Sequence, residues 1–446
     1  QIETNPGNGV SGGLVGMRSG KVEWGGKVGT RSSQHRVGRD WGGGAEARQV
    51  EEMGSGRWRS RKGSSFLLPL RLLHVLRALA RLRGLPTTLV LVFAVLLLPP
   101  WGVVTVESKC RRPPVVFNFG DSNSDTGGLQ AGLGYMIGLP HGRKFPGGPS
   151  GRVCDGRLVI DFLCESLNMA YLSPYLEALG SDFRNGANFA ISGSSTMPSN
   201  VPFSLFIQVL QFLRFRSRSL QLISEGSKHL ISEKGFQNAL YTFDIGQNDL
   251  SKLFSAGLSY SQVLEQIPSV LAEIRGAIKM IYERGGKHFW VHATGPLGCL
   301  PEKLSVYKKD GTDVDACGCL TSFNNAAKAL NDGLSALCDE LSTELRNATM
   351  VYTDMFAIKY DLIANYTKYG FENPLMTCCG YGGPPYNFNI SITCGYPGSQ
   401  ACTDGSKYIS WDGVHYSEAA NAIAASKILS TNYSKPRVKF ESFCIA

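Results

Sequence analysis

No cysteine occurs before Cys110, although the chain holds 12: Cys110, Cys154, Cys164, Cys299, Cys317, Cys319, Cys338, Cys378, Cys379, Cys394, Cys402 and Cys444. No two of them form a C-x-x-C pair, and Cys317-Gly-Cys319 and Cys378-Cys379 lack metal-site spacing, which argues against a structural zinc site. Long apolar runs are also missing. Leu89–Leu98 contains ten apolar residues, half of the roughly 20 that a membrane-spanning helix needs. An excess of positive charge is missing where it would matter. Of the 45 Lys and Arg, 15 precede residue 109, as do 7 of the 36 Asp and Glu, so residues 109–446 carry 30 bases against 29 acids. The formal charge of +9 therefore belongs almost wholly to the head of the chain, and the remainder has no basic bias that would suit nucleic acid. Gly132-Leu-Gly134 is followed by Ile137 instead of a third glycine, so no dinucleotide fingerprint stands. There is no internal repeat.

The head, residues 1–86, is rich in Gly, Arg and Ser up to about Ser65. With few apolar residues at any regular period it cannot offset the entropy of ordering, and the expectation is disorder. It opens on Gln1, with Met17 and Met53 as alternative starts, and reads as a fragment or a mistaken gene assignment. Residues 87–108 follow Arg71, Arg77, Arg81 and Arg83, and Pro99-Pro100 breaks the apolar run. A basic flank and a ten-residue apolar stretch describe a signal-peptide core, or a signal-anchor if it is retained. Residues 109–446 are thus expected to enter the secretory pathway, bound for the apoplast or cell wall, or for the Golgi lumen if anchored. An even number of cysteines confined to this part suggests disulfides, whose connectivity cannot be read from the sequence. Sequons at Asn347, Asn365, Asn389 and Asn432 mark candidate N-glycosylation sites in the same region.

Within residues 109–446, short apolar runs at Val115–Phe119, Leu240–Ile245, His288–His292 and Met350–Thr353 read as strands. Amphipathic stretches at Leu158–Leu167, Phe203–Ile223, Ser261–Tyr282, Ser322–Leu345 and Ser417–Leu429 read as helices. Such alternation predicts an α/β fold of three layers, α/β/α, around a mainly parallel central sheet. Functional residues then belong at the carboxyl ends of the strands. Gly370–Cys402 is dense in Gly, Pro, Asn and Cys and is expected to be a long loop held by disulfides.

At one such strand end stands Ser122, in the run Phe117-Asn-Phe-Gly-Asp-Ser-Asn-Ser-Asp-Thr-Gly127. Far downstream the chain reads Trp411-Asp-Gly-Val-His415. A serine hydroxyl is a poor nucleophile until a base takes its proton. His415 can supply that base, and Asp412 can fix its tautomer and stabilise its charge. The reaction also needs donors aimed at the oxyanion formed on the attacked carbonyl.

These segments resemble blocks of the plant-type GDSL esterase/lipase family, within the SGNH hydrolase superfamily. Phe119–Gly127 is similar to the first block, Asn188-Phe-Ala-Ile-Ser-Gly193 to the second, Gly246-Gln-Asn-Asp249 to the third and Asp412–His415 to the fifth. Gly151–Phe162 and Gly295–Pro301 match the plant branch, and the likeness extends from Pro113 to Leu429. It implies Ser122 as nucleophile, His415 as general base and then acid, and Asp412 as its orienting carboxylate. It also implies an oxyanion hole made by the backbone N–H groups of Ser122 and Gly193 and the side-chain amide of Asn248. Asn123 replaces the usual leucine at a non-catalytic position, and Ile191-Ser-Gly-Ser-Ser195 is less glycine-rich than in many relatives.

The function expected is a serine ester hydrolase working through an acyl-enzyme, with no metal and no cofactor. Its substrate would be a small-molecule, polysaccharide or lipid acyl ester, with O-acetyl or short acyl groups of cell-wall polysaccharide preferred. The alternatives are a lipase or acyltransferase on lipid esters, or a catalytically silent carbohydrate-binding wall glycoprotein. Nucleic acid is excluded as a partner, and a membrane would be contacted only through a retained anchor. Other motifs have blander readings. Gly9-Val-Ser-Gly-Gly13 fits a nucleophile-elbow pattern but lies in the head, without a preceding strand. His288 and His292 suit strand ends, Asp121 and Asp249 suit turn caps, and Phe203, Leu205, Phe206, Val209, Leu210, Phe212 and Leu213 suit core better than an acyl groove.

Overall fold

The structure, a computed structural model, describes Cys110 and residues 112–199, 201–308 and 313–444. The expected head (1–86) and leader (87–108) lie outside the described residues. Five strands run parallel: β1 (Val116–Gly120), β2 (Gly186–Asn188), β3 (Leu240–Asp244), β4 (His288–His292) and β5 (Thr349–Thr353). Four short strands follow, β6 (Asn373–Thr377), β7 (Cys379–Gly380), β8 (Gln400–Ala401) and β9 (Tyr408–Ser410), and then β10 (Ser434–Lys435). The central sheet has the order β10-β5-β4-β3-β1-β2, with β10 as its antiparallel edge. The helices are α1 (Gly128–Leu133), α2 (Val159–Ser166), α3 (Leu205–Ser224), α4 (Glu233–Gln237), α5 (Gln247–Ser255), α6 (Tyr260–Tyr282), α7 (Pro301–Tyr307), α8 (Thr321–Glu344), α9 (Met355–Ala364) and α10 (Glu418–Leu429).

Period-two alternation along the strands builds two cores. Phe117, Phe119, Tyr241, Phe243, Phe289 and Val291 point to one face, where α3, α6 and α8 cover them. Val116, Leu240, Trp290 and Val351 point to the other, against α2, α9 and α10. Each such side chain contributes about 1.5–3 kcal/mol on burial. The buried indole of Trp290 donates to Thr353 Oγ1 at 2.7 Å, so its one polar atom is satisfied. The three-layer parallel α/β arrangement expected from the sequence is therefore present. The five expected helices coincide with α2, α3, α6, α8 and α10 to within two or three residues at each end.

Two strands of the central sheet went unforeseen. β2 has three residues and β10 two, too few for a periodic pattern. At Gly186, in β2, a Cβ would lie 1.8 Å from the Val116 carbonyl oxygen, so β1 and β2 approach as closely as they do only because that residue is glycine. Helix α9 also lacked a signal because it is buried on several sides, at Met355, Phe356, Ile358, Lys359, Leu362 and Ile363. The segment Gly370–Cys402 is not merely a loop. Strand β6 pairs parallel with β9, and β7 pairs antiparallel with β8. Disulfides Cys378–Cys402 and Cys379–Cys394 clamp it, as expected. Two further bridges join Cys299 to Cys319 and Cys110 to Cys444. Cys154, Cys164, Cys317 and Cys338 remain thiols.

Two asparagines inside apolar strands tie β1, β2 and β3 together. Asn118 donates to Asn188 Oδ1 at 2.8 Å and accepts from Thr242 Oγ1 at 2.7 Å. Asn188 in turn donates to the Ser124 carbonyl (2.6 Å) and to Thr126 Oγ1 (2.9 Å), inside the turn that follows β1. All of these groups are buried, so removing one partner strands the others at a cost of about 1–3 kcal/mol per unsatisfied group. Asn188→Ala is expected to destabilise the fold by about 3 kcal/mol in equilibrium denaturation, on the same scale; a loss below ~1 kcal/mol would mean that the network re-pairs.

Candidate active site

Ser122 follows β1 in a turn that the sequence shapes at Gly120. A Cβ there would sit 2.4 Å from the Asp244 carbonyl oxygen, so only glycine lets β1 leave the sheet so close to β3. Gln208 of α3 accepts from the Gly120 N–H at 2.9 Å and donates to its carbonyl at 2.8 Å, fixing that peptide from the far side. Asp121 then caps the turn, its Oδ1 accepting from the Asn123 N–H (2.9 Å) and Nδ2 (3.0 Å). Ser122 itself is only 5% exposed.

The turn is cross-linked to the loop after β2 by Asp125. This buried carboxylate accepts from the backbone N–H groups of Gly127, Gly128 and Leu129, and from both the N–H (2.7 Å) and Oγ (2.8 Å) of Ser192. Gly193 follows in the left-handed region at φ +82°, where a Cβ would also meet Val201 Cγ2 at 2.9 Å. Among the described residues, the backbone N–H groups of Ser122 and Gly193 have no hydrogen-bond partner.

Asn248 and Asp249 lie in the first turn of α5, directly after β3. Asn248 Nδ2 donates to the Ser194 carbonyl at 2.8 Å and makes a long contact of 3.5 Å to Asp121 Oδ2. The second contact is at the limit of a hydrogen bond and is weak. Asp249 accepts from the N–H groups of Thr196 and Met197 and from Thr196 Oγ1 at 2.7 Å. Asp121 and Asp249 are thus both occupied as caps. The three segments that carry Ser122, Gly193 and Asn248 are bound to one another through Asp121, Asp125 and the Ser194 carbonyl.

Asp412 and His415 sit between β9 and α10. Asp412 Oδ1 accepts from the Val414 (3.0 Å) and His415 (2.8 Å) N–H groups, and Oδ2 pairs with His415 Nδ1 at 2.6 Å. At Gly413, with φ +103°, a Cβ would lie 2.3 Å from Phe388 Cδ2. The preceding Trp411 is buried, and its Nε1 donates to His141 Nδ1 at 3.0 Å. His415 Nε2 is buried and has no hydrogen-bond partner among the described residues, and none is formed by Ser122 Oγ. The serine–histidine hydrogen bond is therefore open in this structure; such bonds often tighten only with substrate in place. The Asp121 carboxylate, next to Ser122, acts on the His415 ring.

The protonation equilibria follow from this packing. Burial pulls the His415 imidazole towards neutrality, but the Asp412 carboxylate, and then that of Asp121, outweigh it and raise its pKa above the ordinary 6.5. Burial opposes ionisation of Asp412, yet its interaction with His415 prevails and lowers it to about 2. Burial, and next the Asp244 charge, push Asp121 up to about 7.

The other sequence candidates take structural places. Leu205, Val209 and Phe212 are in the core beneath β1, while Phe206 and Leu210 stay on the exposed side of α3. His288 is at the start of β4 and His292 is buried at its end. Gly9–Gly13 lies outside the described residues. Asn347, Asn365, Asn389 and Asn432 are all exposed. The supporting roles of Asp125, Gln208 and His141 escaped sequence reasoning; the one readable signal was a polar residue, Asn118, within an otherwise apolar strand.

Residues 116–428 match the family described as GDSL-like Lipase/Acylhydrolase. A GDSL esterase/lipase of Arabidopsis thaliana is 60% identical over 345 residues, covering 76% of this chain and 93% of the relative. A second from that plant, GDSL esterase/lipase LIP-4, is 59% identical over 341 residues, covering 76% and 91%. Another Arabidopsis relative, named alpha-L-fucosidase 3, is 42% identical over 357 residues, covering 75% and 95%. With its motifs in order along one parallel sheet and relatives this similar over nearly their whole length, the chain belongs to the GDSL-like lipase/acylhydrolase family and is a serine ester hydrolase.

Proposed function

We propose that Ser122, His415 and Asp412 form the catalytic triad, and that the N–H groups of Ser122 and Gly193 with the Asn248 amide form the oxyanion hole. The observation that carries this reading is the pairing of a buried, unpartnered His415 Nε2 with an Asp412 carboxylate held on its other ring nitrogen. Ser122 Oγ attacks the ester carbonyl as His415 Nε2 takes its proton, and the Asp412 carboxylate stabilises the imidazolium. The oxyanion collects the two free N–H groups, and the weakly engaged Asn248 N–H turns to it from Asp121. His415 returns the proton to the departing alcohol. Water, deprotonated by the same nitrogen, then releases the acid and frees Ser122.

Short acyl groups are the substrate we favour, as O-acetyl esters of polysaccharide reached by export, with the four exposed sequons consistent with passage through the secretory pathway. Of the side chains that could have lined a long acyl groove, Leu205, Val209 and Phe212 are used by the core, while Phe206 and Leu210 stay exposed. Beside Asp412 a cavity of about 310 Å³ opens between His141, Phe388, Thr393 and Val414, but neither Ser122 nor His415 lines it, so it does not set the acyl length. Glycoside cleavage, suggested by the name of one relative, generally needs two available carboxylates flanking the bond. Here Asp125 and Asp249 are each committed to backbone N–H groups.

Replacing Ser122 by Ala should abolish turnover of a chromogenic acetate ester and labelling by a fluorophosphonate, while the circular dichroism spectrum stays unchanged. Labelling that persists in the variant would remove Ser122 from the nucleophile's role, and absence of labelling in the folded wild type would favour a silent carbohydrate binder.

The pH profile follows from the His415 pKa. The base must be neutral to act, so activity is lost as pH falls through it, and a raised value puts the acid limb above 6.5. Asp121→Asn removes a carboxylate that favours the imidazolium, so the limb should move to lower pH; an unmoved limb would show that the two groups do not communicate.

Acetate release from acetylated xylan should exceed, per enzyme, hydrolysis of acyl esters with long chains. A rate that climbs with chain length would turn the assignment to lipid esters.

A further inference from the structure

From the same helix that carries Asn248, Lys252 reaches the loop that carries Gly193. Residues 248 and 252 stand one turn apart on one face of α5. The Lys252 Nζ donates to the Gly193 carbonyl at 3.2 Å, to Ser195 Oγ at 3.0 Å and to Ser199 Oγ at 2.6 Å. All three ammonium protons therefore have acceptors in a single seven-residue stretch of loop. A surface lysine would keep its rotamers and its water. This one is half-buried, and ordering it costs up to ~2 kcal/mol of side-chain entropy, which three charge-assisted hydrogen bonds can offset.

The loop needs such restraint. Between Gly193 and Ser199 it has no helix or strand, and it begins with a residue at φ +82°. Every side-chain restraint that α5 applies to it falls on its polar backbone or hydroxyl groups. Asn248 holds the Ser194 carbonyl, Asp249 holds the Thr196 and Met197 N–H groups, and Lys252 holds the Gly193 carbonyl together with the two serine hydroxyls. Asn248 and Asp249 act on residues after Gly193. Only Lys252, of these three, grips the carbonyl of Gly193 itself. Burial lowers the Lys252 pKa, and the Asp249 and then the Asp121 carboxylate oppose that shift without overcoming it.

We infer that Lys252 is a positioning residue for ester hydrolysis: by holding the Gly193 carbonyl, in the peptide that follows the one carrying the Gly193 N–H, it restrains the Gly193 backbone torsions so that this N–H faces the developing oxyanion, and it places a positive charge in the wall of that site. The inference rests on the catalytic reading of Ser122 and Gly193 given above. Its effect belongs to the transition state, because the N–H is needed most when the carbonyl oxygen becomes charged. Loss of the ammonium should therefore lower kcat and leave KM nearly unchanged.

The test compares Lys252→Met, which keeps the stem without the charge, with Lys252→Gln and Lys252→Arg, using a chromogenic acetate ester and the rate of Ser122 labelling by a fluorophosphonate. For Lys252→Met, kcat and the labelling rate should both fall about tenfold, less than for direct loss of an oxyanion donor, with KM within twofold of wild type. Lys252→Arg, which can donate to the same acceptors, should recover most of the loss, and Lys252→Gln should not. A Lys252→Met enzyme with wild-type kcat, a change confined to KM, or equal rates for the Arg and Gln variants would each overturn the inference. If Lys252→Met fails to fold, the Arg and Gln pair decides alone. Wild-type protein that never labels would sink the catalytic reading; wild-type and Lys252→Met proteins that label at the same rate would sink only the role of Lys252.

Discussion

The site depends on a buried carboxylate that has no ion-pair partner among the described residues. Asp125 is fully buried, and burial raises its pKa. Five donors oppose that effect, three from the start of α1 and two from Ser192. Hydrogen bonds to a charged group contribute about 1.5–3 kcal/mol each, and here they are drawn from two different loops. The carboxylate therefore does what a salt bridge could not do as tightly. It sets the distance between the turn after β1, which holds Ser122, and the loop after β2, which holds Gly193. Loosening it would separate two of the groups assigned to the oxyanion while leaving every catalytic side chain in the sequence.

The histidine half of the site is built on a different principle. Asp412 and His415 belong to one short turn, so their relative geometry is local, with Oδ1 held by two backbone N–H groups and Oδ2 free to pair with the ring. What is non-local is the depth at which the pair is set. Trp411, anchored through its indole to His141, and Gly413, packed under Phe388, seat it against the rest of the fold. The disulfides at Cys378–Cys402 and Cys379–Cys394 hold the neighbouring segment in place.

Much of this was legible in the sequence. Apolar strands and amphipathic helices announced the parallel sheet because each buries a periodic face. Ser122, Asp412 and His415 stood out through the ordered blocks that resemble the family, since each short turn motif alone says little. What escaped were features whose partners are distant. Nothing near Asn118 or Asn188 reveals that they bond to each other across 70 positions, and β2 is too short to show a period. Asp121 and Asp249 looked like generic turn caps; Asp121 caps its own turn, whereas Asp249 caps residues of a different loop. The apolar residues of α3 read as core more than groove, and packing under β1 takes Leu205, Val209 and Phe212 into it while Phe206 and Leu210 stay exposed. The disulfide pairing was closed to sequence reasoning because 12 cysteines allow many connectivities.

The bridge between Cys110 and Cys444 joins positions 334 residues apart and makes the folded part a covalent ring in all but its outermost residues. A ring is not divided by one cut. Proteolysis at any single exposed loop between these cysteines would open the circle into one linear molecule whose new ends lie at the cut, with both flanks still tethered. Re-docking would then be intramolecular and would not be diluted by the surroundings. This is a form of durability that thermodynamic stability alone does not provide.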